Sequence, residues 1–162
     1  MQRANGFRHA LLGTTIDPDA ASGRDSLNAL LDQYASMKEA ANNHFKCGQT
    51  VHASVMYYSI SSILGQPDII ELARSTGVVG RCKALYVCCI LNEAQARLSC
   101  WGITMVPEWH MKSDLPRAAF EVDMQRVLRL CADVLMEEPR NYKAYSRRAL
   151  AWHALGHLGV AN

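Results

Sequence analysis

The chain has 162 residues, of which 49% are hydrophobic, 7% aromatic and 20% charged, and its net charge is +2 from 17 Lys and Arg against 15 Asp and Glu. A chain of this length forms one domain with a sizeable core. The near balance of charge argues against a nucleic acid as partner, because no basic field surrounds the molecule. The low aromatic content, with abundant Ala and Leu, favours helices over a β-sandwich.

The N-terminal segment differs from the rest of the chain. It is polar, carries no sustained hydrophobic period, and is interrupted by turn-forming residues at Gly6, Gly13, Pro18 and Gly23. This pattern predicts a disordered or weakly ordered tail over residues 1–25. Arg3 and Arg8, without an acidic residue among the first 16 positions, leave a transit peptide as the weaker alternative.

Neither a secretory signal nor a membrane span is evident in the sequence. The longest apolar run, Ala84 to Leu91, is far too short to cross a bilayer. The six cysteines, at 47, 82, 88, 89, 100 and 131, contain no C-x-x-C spacing. Such thiols are typical of small core residues in a reducing compartment. We therefore expect a cytoplasmic protein that binds no membrane.

The first predicted helix begins at Ser26 and runs for about twenty residues. Apolar side chains recur along one face at three- and four-residue steps: Leu27, Leu30, Leu31, Tyr34, Met37, Ala41 and Phe45. Such a stripe is typical of an amphipathic helix that packs on a core. Ser26 is the expected N-cap, and Gly48 follows the last turn, where a left-handed residue is favoured.

The second predicted helix follows the turn at Gly48 and stops near Gly65. Its apolar face is expected to consist of Val51, Val55, Tyr58 and Ile63, with Ala53 and Tyr57 beside it. Because so short a turn joins them, the first two helices are expected to pack as antiparallel neighbours.

Further along the chain, the pattern predicts a short helix over 68–74 and longer helices over about 80–100, 116–138 and 141–155. An irregular segment over 101–115 separates two of them, and the last helix is expected to end at Gly156. The chain is therefore predicted to be all-α and built from helix hairpins.

An internal repeat relates three of these helices. A small residue, a residue four positions later and a glycine shortly after it recur at similar places: Ala41, Phe45 and Gly48; Ala94, Leu98 and Gly102; Ala149, His153 and Gly156. Recurrence of this kind is typical of α-helical repeat proteins. Pro139, which lies just before the last helix, fits a proline that closes a repeat.

Three sequence motifs relate the chain to a known family of repeat proteins. They are Lys38-Glu39-Ala40-Ala41-Asn42-Asn43-His44-Phe45, Leu91-Asn92-Glu93-Ala94, and the junction from Glu138 through Ala149. The chain resembles the tetratricopeptide-repeat (TPR) domains of chaperone-binding proteins, of the immunophilin and aryl-hydrocarbon-receptor-interacting type. Departures are Ala41 in place of the usual Gly, Glu93 in place of a common Arg or Leu, and a long insertion at 101–116.

The resemblance implies a right-handed superhelix of antiparallel helix hairpins over residues 26–162. Repeat 1 covers about 26–65, repeat 2 about 80–138, and an incomplete repeat 3 about 141–162. Because the second helix of repeat 3 would begin after Gly156, a fragment is the favoured interpretation. We then expect the apolar face of the last helix to be exposed at Ala151, Trp152 and Leu155.

The resemblance also implies a binding site for a free C-terminal carboxylate. Its five residues would be Lys38, Asn42, Asn92, Lys143 and Arg147, with Phe45 and Tyr57 as secondary groove residues. Lysine, arginine and asparagine form charge-assisted bonds that suit an acidic peptide tail. The implied ligands are the Hsp90 and Hsp70 tails that end in Glu-Glu-Val-Asp. The implied role is that of a co-chaperone that catalyses no reaction and needs no cofactor. A client protein would be a further partner.

Several alternatives stay open beside this hypothesis. The lysines could be ordinary solvated residues, and the groove could serve a scaffold that binds an unrelated partner, either there or through the insertion with Trp101, Met105, Trp109 and Met111. The insertion could instead pack over the back of the repeat. The chain could also be the binding half of a larger peptidyl-prolyl isomerase. A metal at His153 and His157, or a nucleophile pair of Cys47 and His44, has little support because no third group completes either site.

Overall fold

The computed structural model describes residues 20–103 and 116–159, with side chains over 23–103 and 116–156. Over this part of the chain the protein is all-α, as predicted, and contains no strand. The six helices are α1 Ala20–Lys46, α2 Thr50–Leu64, α3 Pro67–Ser75, α4 Val79–Cys100, α5 Arg117–Glu137 and α6 Tyr142–Gly159. Met105, Trp109, Met111, the side chain of His157 and most of the predicted tail lie outside the described residues.

Two helix boundaries differ from the sequence prediction. Helix α1 begins at Ala20, six residues before the expected N-cap Ser26, so residues 20–25 are helical rather than part of a tail. Helix α6 continues through Gly156 and ends at Gly159. Extending an existing helix adds one hydrogen bond for each residue fixed, and a glycine in a helix costs only about 1 kcal/mol. A single Ser or Gly in the sequence is therefore weak evidence that a helix begins or ends there.

Three helices end in the same hydrogen-bonded glycine motif. After α1, Gly48 N donates to Phe45 O at 3.0 Å and Gln49 N donates to His44 O at 2.9 Å. After α3 and α4, Gly77 and Gly102 donate in the same way, each with the following residue bonded five positions back. All three glycines have positive φ, at 78°, 74° and 70°. This Schellman geometry satisfies the last carbonyls of the helix and turns the chain back on itself.

The helices pack as two layers. Helix α2 packs on α1 and α4, and α5 packs on α4 and α6. Helix α4 also contacts α1 on one side and α6 on the other, so α1, α4 and α6 lie side by side in one layer. This layer carries most of the polar side chains of the candidate site, and α2 contributes Tyr57.

The core consists mainly of two clusters that meet at α4. One joins α1, α2 and α3 to α4 through Leu27, Leu31, Ile60, Ile69 and Cys89. The other joins α4 to α5 and α6 through buried residues that include Leu98, Phe120, Met124, Val127, Ala144 and Ala151. Each fully buried large apolar side chain contributes roughly 1.5–3 kcal/mol, so these clusters supply most of the force that holds the layers together.

The predicted apolar face of α2 is mostly exposed, and of its four residues only Ile63 packs partly against the core. Val51, Val55 and Tyr58 are 63%, 57% and 47% exposed, and the buried residues are instead Ala53, Ser54, Tyr57, Ile60, Ser61 and Leu64. Helix α2 lies between α1 and α4, where the small Ala53, Ser54 and Ser61 allow close approach of backbones. Since α2 carries apolar residues all round, hydrophobic period alone could not decide which face is buried.

The exposed face expected on the last helix is only partly present. Trp152 is 55% exposed, whereas Ala151 is completely buried and Leu155 packs partly against the core. Helix α5 covers that side of α6 and buries Ala151, which corrects the expectation for this residue. None of the helices over the described residues is long and apolar enough to cross a membrane.

All six cysteines are free thiols, and three of them, Cys82, Cys89 and Cys131, are buried as expected of core residues, whereas Cys47 is exposed. Cys89 and its neighbour Cys88 point to different sides of α4, because Cys89 is buried and Cys88 only partly so. Burial disfavours the thiolate, which raises the pKa of Cys89 to about 12 and that of Cys131 to about 11. These two thiols act as small core residues rather than as nucleophiles.

A buried carboxylate joins α4 to α5. Glu93 is completely buried, and its Oε1 accepts from Arg97 Nε at 2.9 Å and from Arg126 Nε at 3.1 Å. Arg126 Nη2 donates to Oε2 at 3.3 Å, and its guanidinium lies over the Tyr58 ring, 5.4 Å from the centroid. A buried carboxylate is tolerated only when it is paired in this way.

The start of the insertion is fixed against α5. Trp101 Nε1 donates to Asp123 Oδ2 at 2.8 Å, and its ring meets Phe120 edge-on, with centroids 5.2 Å apart. Asp123 also pairs with Arg97. Trp101 therefore packs over α5 and is not presented as an open surface.

Candidate functional site

The candidate site is centred on the side chain of Asn42 in α1. Its Oδ1 accepts from the Tyr57 hydroxyl at 2.6 Å and from Asn92 Nδ2 at 3.3 Å, and its Nδ2 donates to Glu39 Oε2 at 3.0 Å. These bonds join α1, α2 and α4. Burial raises the pKa of Tyr57 to about 12, so its hydroxyl stays protonated and donates.

Lys38 lies one helical turn before Asn42 and its side chain is only 18% exposed. It pairs with the exposed Glu39, and this hydrogen bond raises the pKa of Lys38 while it lowers the pKa of Glu39. Lys38 is therefore a cation at neutral pH. Because Glu39 is exposed, solvent weakens this ion pair, so a ligand carboxylate can replace Glu39 as the partner of Lys38.

Arg147 in α6 is the second cationic group of the site. Its Nε donates to Gln95 Oε1 at 3.2 Å, and its buried Nη1 has no hydrogen-bond partner among the described residues. Burial lowers the pKa of Arg147, yet a guanidinium stays charged in proteins. A buried donor without an acceptor costs about 1–3 kcal/mol, so this atom favours any acceptor that reaches it.

A pocket lies beside these groups and is bordered by Asn42, but not by Lys38 or Arg147. It is lined by Asn42, Phe45, Lys46, Tyr57, Asn92 and Gln95. The rings of Phe45 and Tyr57 contribute apolar surface, and the three amides contribute donors and acceptors. We call the residues Lys38, Asn42, Tyr57, Asn92, Gln95 and Arg147 the polar cluster. Such a mixture of apolar surface and few polar groups is typical of ligand sites.

Four of the five predicted clamp residues belong to the polar cluster. Asn42 and Asn92 are in direct contact, Lys38 lies one turn from Asn42, and Arg147 reaches the pocket through Gln95. Lys143 is exposed on α6, one turn before Arg147, and no contact joins it to the other four. Phe45 and Tyr57, predicted as secondary groove residues, line the pocket.

Two pocket residues were not identified from the sequence. Lys46 lies one turn after Asn42, and Gln95 lies one turn after Asn92. Their spacing from the two asparagines places them on the same helix faces, and this spacing is the feature of the sequence from which they could have been predicted. The bond between Gln95 and Arg147 depends on how α4 packs on α6, which spacing within one helix does not reveal.

The candidate pair of Cys47 and His44 is not assembled as a nucleophile site, and the candidate pair of His153 and His157 lies partly outside the described side chains. His44 Nδ1 bonds the side-chain oxygen of Gln49, and its ring stacks on His52 with centroids 6.0 Å apart, while Cys47 is exposed. Among the side chains described over 23–103 and 116–156, no three from His, Cys, Asp or Glu gather around a common point that could hold a metal.

Comparisons with known proteins identify no relative. No family model, curated protein or solved structure matches the chain. Function is therefore inferred from the polar cluster and its contacts.

Proposed function

We propose that the chain is a non-catalytic adaptor domain of the TPR type that binds an acidic peptide through its C-terminal carboxylate. The ligand that fits the resemblance is the Glu-Glu-Val-Asp tail of Hsp90 or Hsp70, and the setting is that of a cytoplasmic co-chaperone. The observation that carries the proposal is the buried, unpartnered Nη1 of Arg147 next to a pocket bounded by Asn42 and Asn92.

The charge around the polar cluster supports an anionic ligand. Lys38 and Arg147 are the cationic members of the cluster and Lys46 lines the adjacent pocket, whereas Glu39 is an acid that bonds to Lys38 and Asn42. An unpartnered guanidinium donor gains most from a carboxylate, because charge-assisted hydrogen bonds are roughly twice as strong as neutral ones. In this proposal a side-chain carboxylate of the peptide meets Arg147.

The two asparagines suit the terminal carboxylate. The bond between Asn92 Nδ2 and Asn42 Oδ1 is long, at 3.3 Å, and the bond from Asn42 Nδ2 ends on the exposed Glu39. A carboxylate that accepts from both amides and from Lys38 replaces two weak contacts with charge-assisted ones. This exchange favours a free C-terminus over an internal peptide segment.

The helix arrangement supports the repeat assignment. Helices α1 and α4 end in the same Schellman motif, at Gly48 and Gly102, and each is followed by a helix that packs back on it. The third expected member, Gly156, lies inside α6 and does not share this motif. The proposal therefore depends more on α1 and α4 than on the last repeat.

The test is calorimetric titration with an acetylated peptide ending in Glu-Glu-Val-Asp and with its C-terminal amide. The acid is expected to bind about tenfold or more tightly than the amide, a difference of about 1.4 kcal/mol. Equal affinities would show that the carboxylate site is wrong, even if the fold is that of a TPR domain. A peptide with the same composition in scrambled order is the control.

The second candidate function is a scaffold that binds an unrelated protein. The observation that favours it is the row of exposed apolar residues on α2, Val51, Val55 and Tyr58. A scaffold of this kind requires no free carboxylate, so the comparison of acid with amide distinguishes it from a carboxylate site. The further alternative, the binding half of a larger isomerase with its catalytic domain elsewhere, is compatible with either result.

A further inference from the structure

Gln95 is the residue that connects Arg147 to the pocket. It lies in α4, one turn after Asn92, and both polar atoms of its side chain are used. Oε1 accepts from Arg147 Nε at 3.2 Å, and Nε2 donates to Ser99 Oγ at 3.3 Å. No other hydrogen bond or ion pair of the Arg147 side chain occurs within the described residues.

The orientation of the amide is fixed by Arg147, because a guanidinium Nε can only donate and therefore requires the acceptor Oε1 to face it. Nε2 is then directed to the Ser99 hydroxyl, which accepts its hydrogen bond and holds the side chain in this rotamer. A guanidinium is a rigid planar fork, so fixing Nε also fixes the directions of its two Nη groups. The acceptor is neutral, and therefore the charge of Arg147 is held in place without being compensated.

Other side chains at position 95 would change either the position of the Arg147 guanidinium or its uncompensated charge. A carboxylate would form an ion pair with Arg147 and would repel an anionic ligand. An apolar side chain would leave Arg147 Nε without an acceptor and its guanidinium free to change rotamer. An amide is thus the side chain that holds Arg147 while keeping the site selective for an acid.

We infer that Gln95 is a positioning residue for Arg147 and the residue that makes the site select a ligand with an acidic side chain. This inference rests on the proposed function, because it assigns the side-chain carboxylate of the peptide to Arg147. The discriminating ligands are two peptides that share a free C-terminus, one ending in Glu-Glu-Val-Asp and the other in Glu-Glu-Val-Asn.

The experiment measures the affinities of both peptides, and of the C-terminal amide of the first, for the wild-type chain, Gln95→Glu and Gln95→Met. In the wild type, we expect Asp to be preferred over Asn by about tenfold, the usual size of a charge-assisted contact. In Gln95→Glu the Asp peptide should weaken about tenfold or more, while the Asn peptide changes by less than about threefold. Gln95→Met should still prefer the Asp peptide over the Asn peptide, but by a smaller factor than the wild type.

Measurements of folding accompany the affinities, so that a loss of binding caused by misfolding is recognised. Gln95 is only partly buried, so helix content and melting temperature should stay close to the wild type in both variants. A merely structural role would weaken all peptides equally and leave the preference for Asp over Asn unchanged. An unchanged preference in Gln95→Glu overturns the inference.

The outcome for the wild type distinguishes the two proposals. If the wild type prefers the acid over the amide and Gln95→Glu keeps the Asp preference, the carboxylate site stands and the role of Gln95 is wrong. If the wild type binds acid and amide alike, or binds neither, the proposed function fails and the inference fails with it.

Discussion

Arg147 is the residue whose removal tests the site most directly. Arg147→Ala is expected to weaken binding of the Glu-Glu-Val-Asp peptide by about 2 kcal/mol, because a charge-assisted contact is lost. Stability should change little, since the substitution also removes a buried donor that lacks a partner. Calorimetry and thermal melting provide the two readouts.

The matched control for this variant is Arg148→Ala. Arg148 is the next residue of α6 and is exposed, so its loss removes the same charge without removing a contact of the polar cluster. We expect its effect on affinity to stay below about 0.5 kcal/mol. Similar losses from both variants would indicate attraction by overall charge rather than a defined contact.

Glu93 is the residue on which the contact between α4 and α5 depends most. Glu93→Ala should lower the free energy of unfolding by about 3 kcal/mol, because Arg97 and Arg126 lose a buried partner. Glu121→Ala is the control, since it breaks an exposed pair with Arg117 and should cost less than about 1 kcal/mol. Urea denaturation measures both, and equal effects would contradict the importance given to the buried pair.

The residues show where sequence analysis works and where it stops. The period of Leu27, Leu31 and Tyr34 predicts the buried face of α1 because polar residues alternate with it. Glu93 was noted only as a departure from a motif, since a charged residue ordinarily indicates exposure, and its burial depends on arginines from two helices. Gln95 carries no pattern of its own, and its role arises only when α6 packs on α4.

At the scale of the element, the glycine motifs fix where helices stop. Gly48→Ala and Gly77→Ala should each destabilise the protein by about 1 kcal/mol, because an L-residue is strained at positive φ. No atom lies within 4 Å of an added Cβ at either position, so the cost is conformational and not steric. The midpoint of urea denaturation measures the effect, provided that the dependence of the unfolding free energy on urea concentration (the m-value) stays constant.

Gly80→Ala is the control for the glycine variants. It lies in the first turn of α4, also with open space around an added Cβ, but with ordinary helical φ. It should stabilise the protein by up to about 1 kcal/mol, because alanine favours a helix over glycine. If Gly48→Ala were also stabilising, the Schellman geometry at the end of α1 would be wrong.

The elements were predicted well in number and order, and less well in orientation. The long helices α1, α4 and α5 follow from sustained hydrophobic periods and from breaks at Gly48, Gly102 and Pro116. The face of α2 could not be predicted, since Val51, Val55 and Tyr58 form an apolar row as convincing as the buried one. Which row is buried depends on the two neighbouring helices.

At the scale of the whole molecule, buried acidic groups predict loss of stability at high pH. Cys89, Cys131 and Tyr57 have folded-state pKa values of about 12, 11 and 12, all above the values of the unfolded chain. Unfolding therefore releases protons once the pH exceeds the unfolded values, near 8.5 for Cys and 10 for Tyr. The free energy of unfolding should be constant below about pH 8 and fall steadily as the pH rises toward about 12.

Urea denaturation between pH 7 and pH 11, with a reductant present, measures this decline. Cys89→Ala should make the dependence on pH shallower by removing one of the groups that ionise on unfolding. Cys47→Ala is the control, because Cys47 is exposed. A decline of the same slope in both variants would show that Cys89 is not responsible.

Because α4 contributes side chains to both large core clusters, neither side of the molecule has a complete interior of its own. Losing α4 exposes Leu31 and Ile60 on one side and Phe120 and Met124 on the other. We therefore expect a single cooperative transition, with circular dichroism and Trp fluorescence changing together. The amides of α4 should be the slowest to exchange hydrogen for deuterium. A ligand held between Asn42, Asn92 and Arg147 would bridge both sides of this shared helix, and its binding energy would add directly to the cost of opening it.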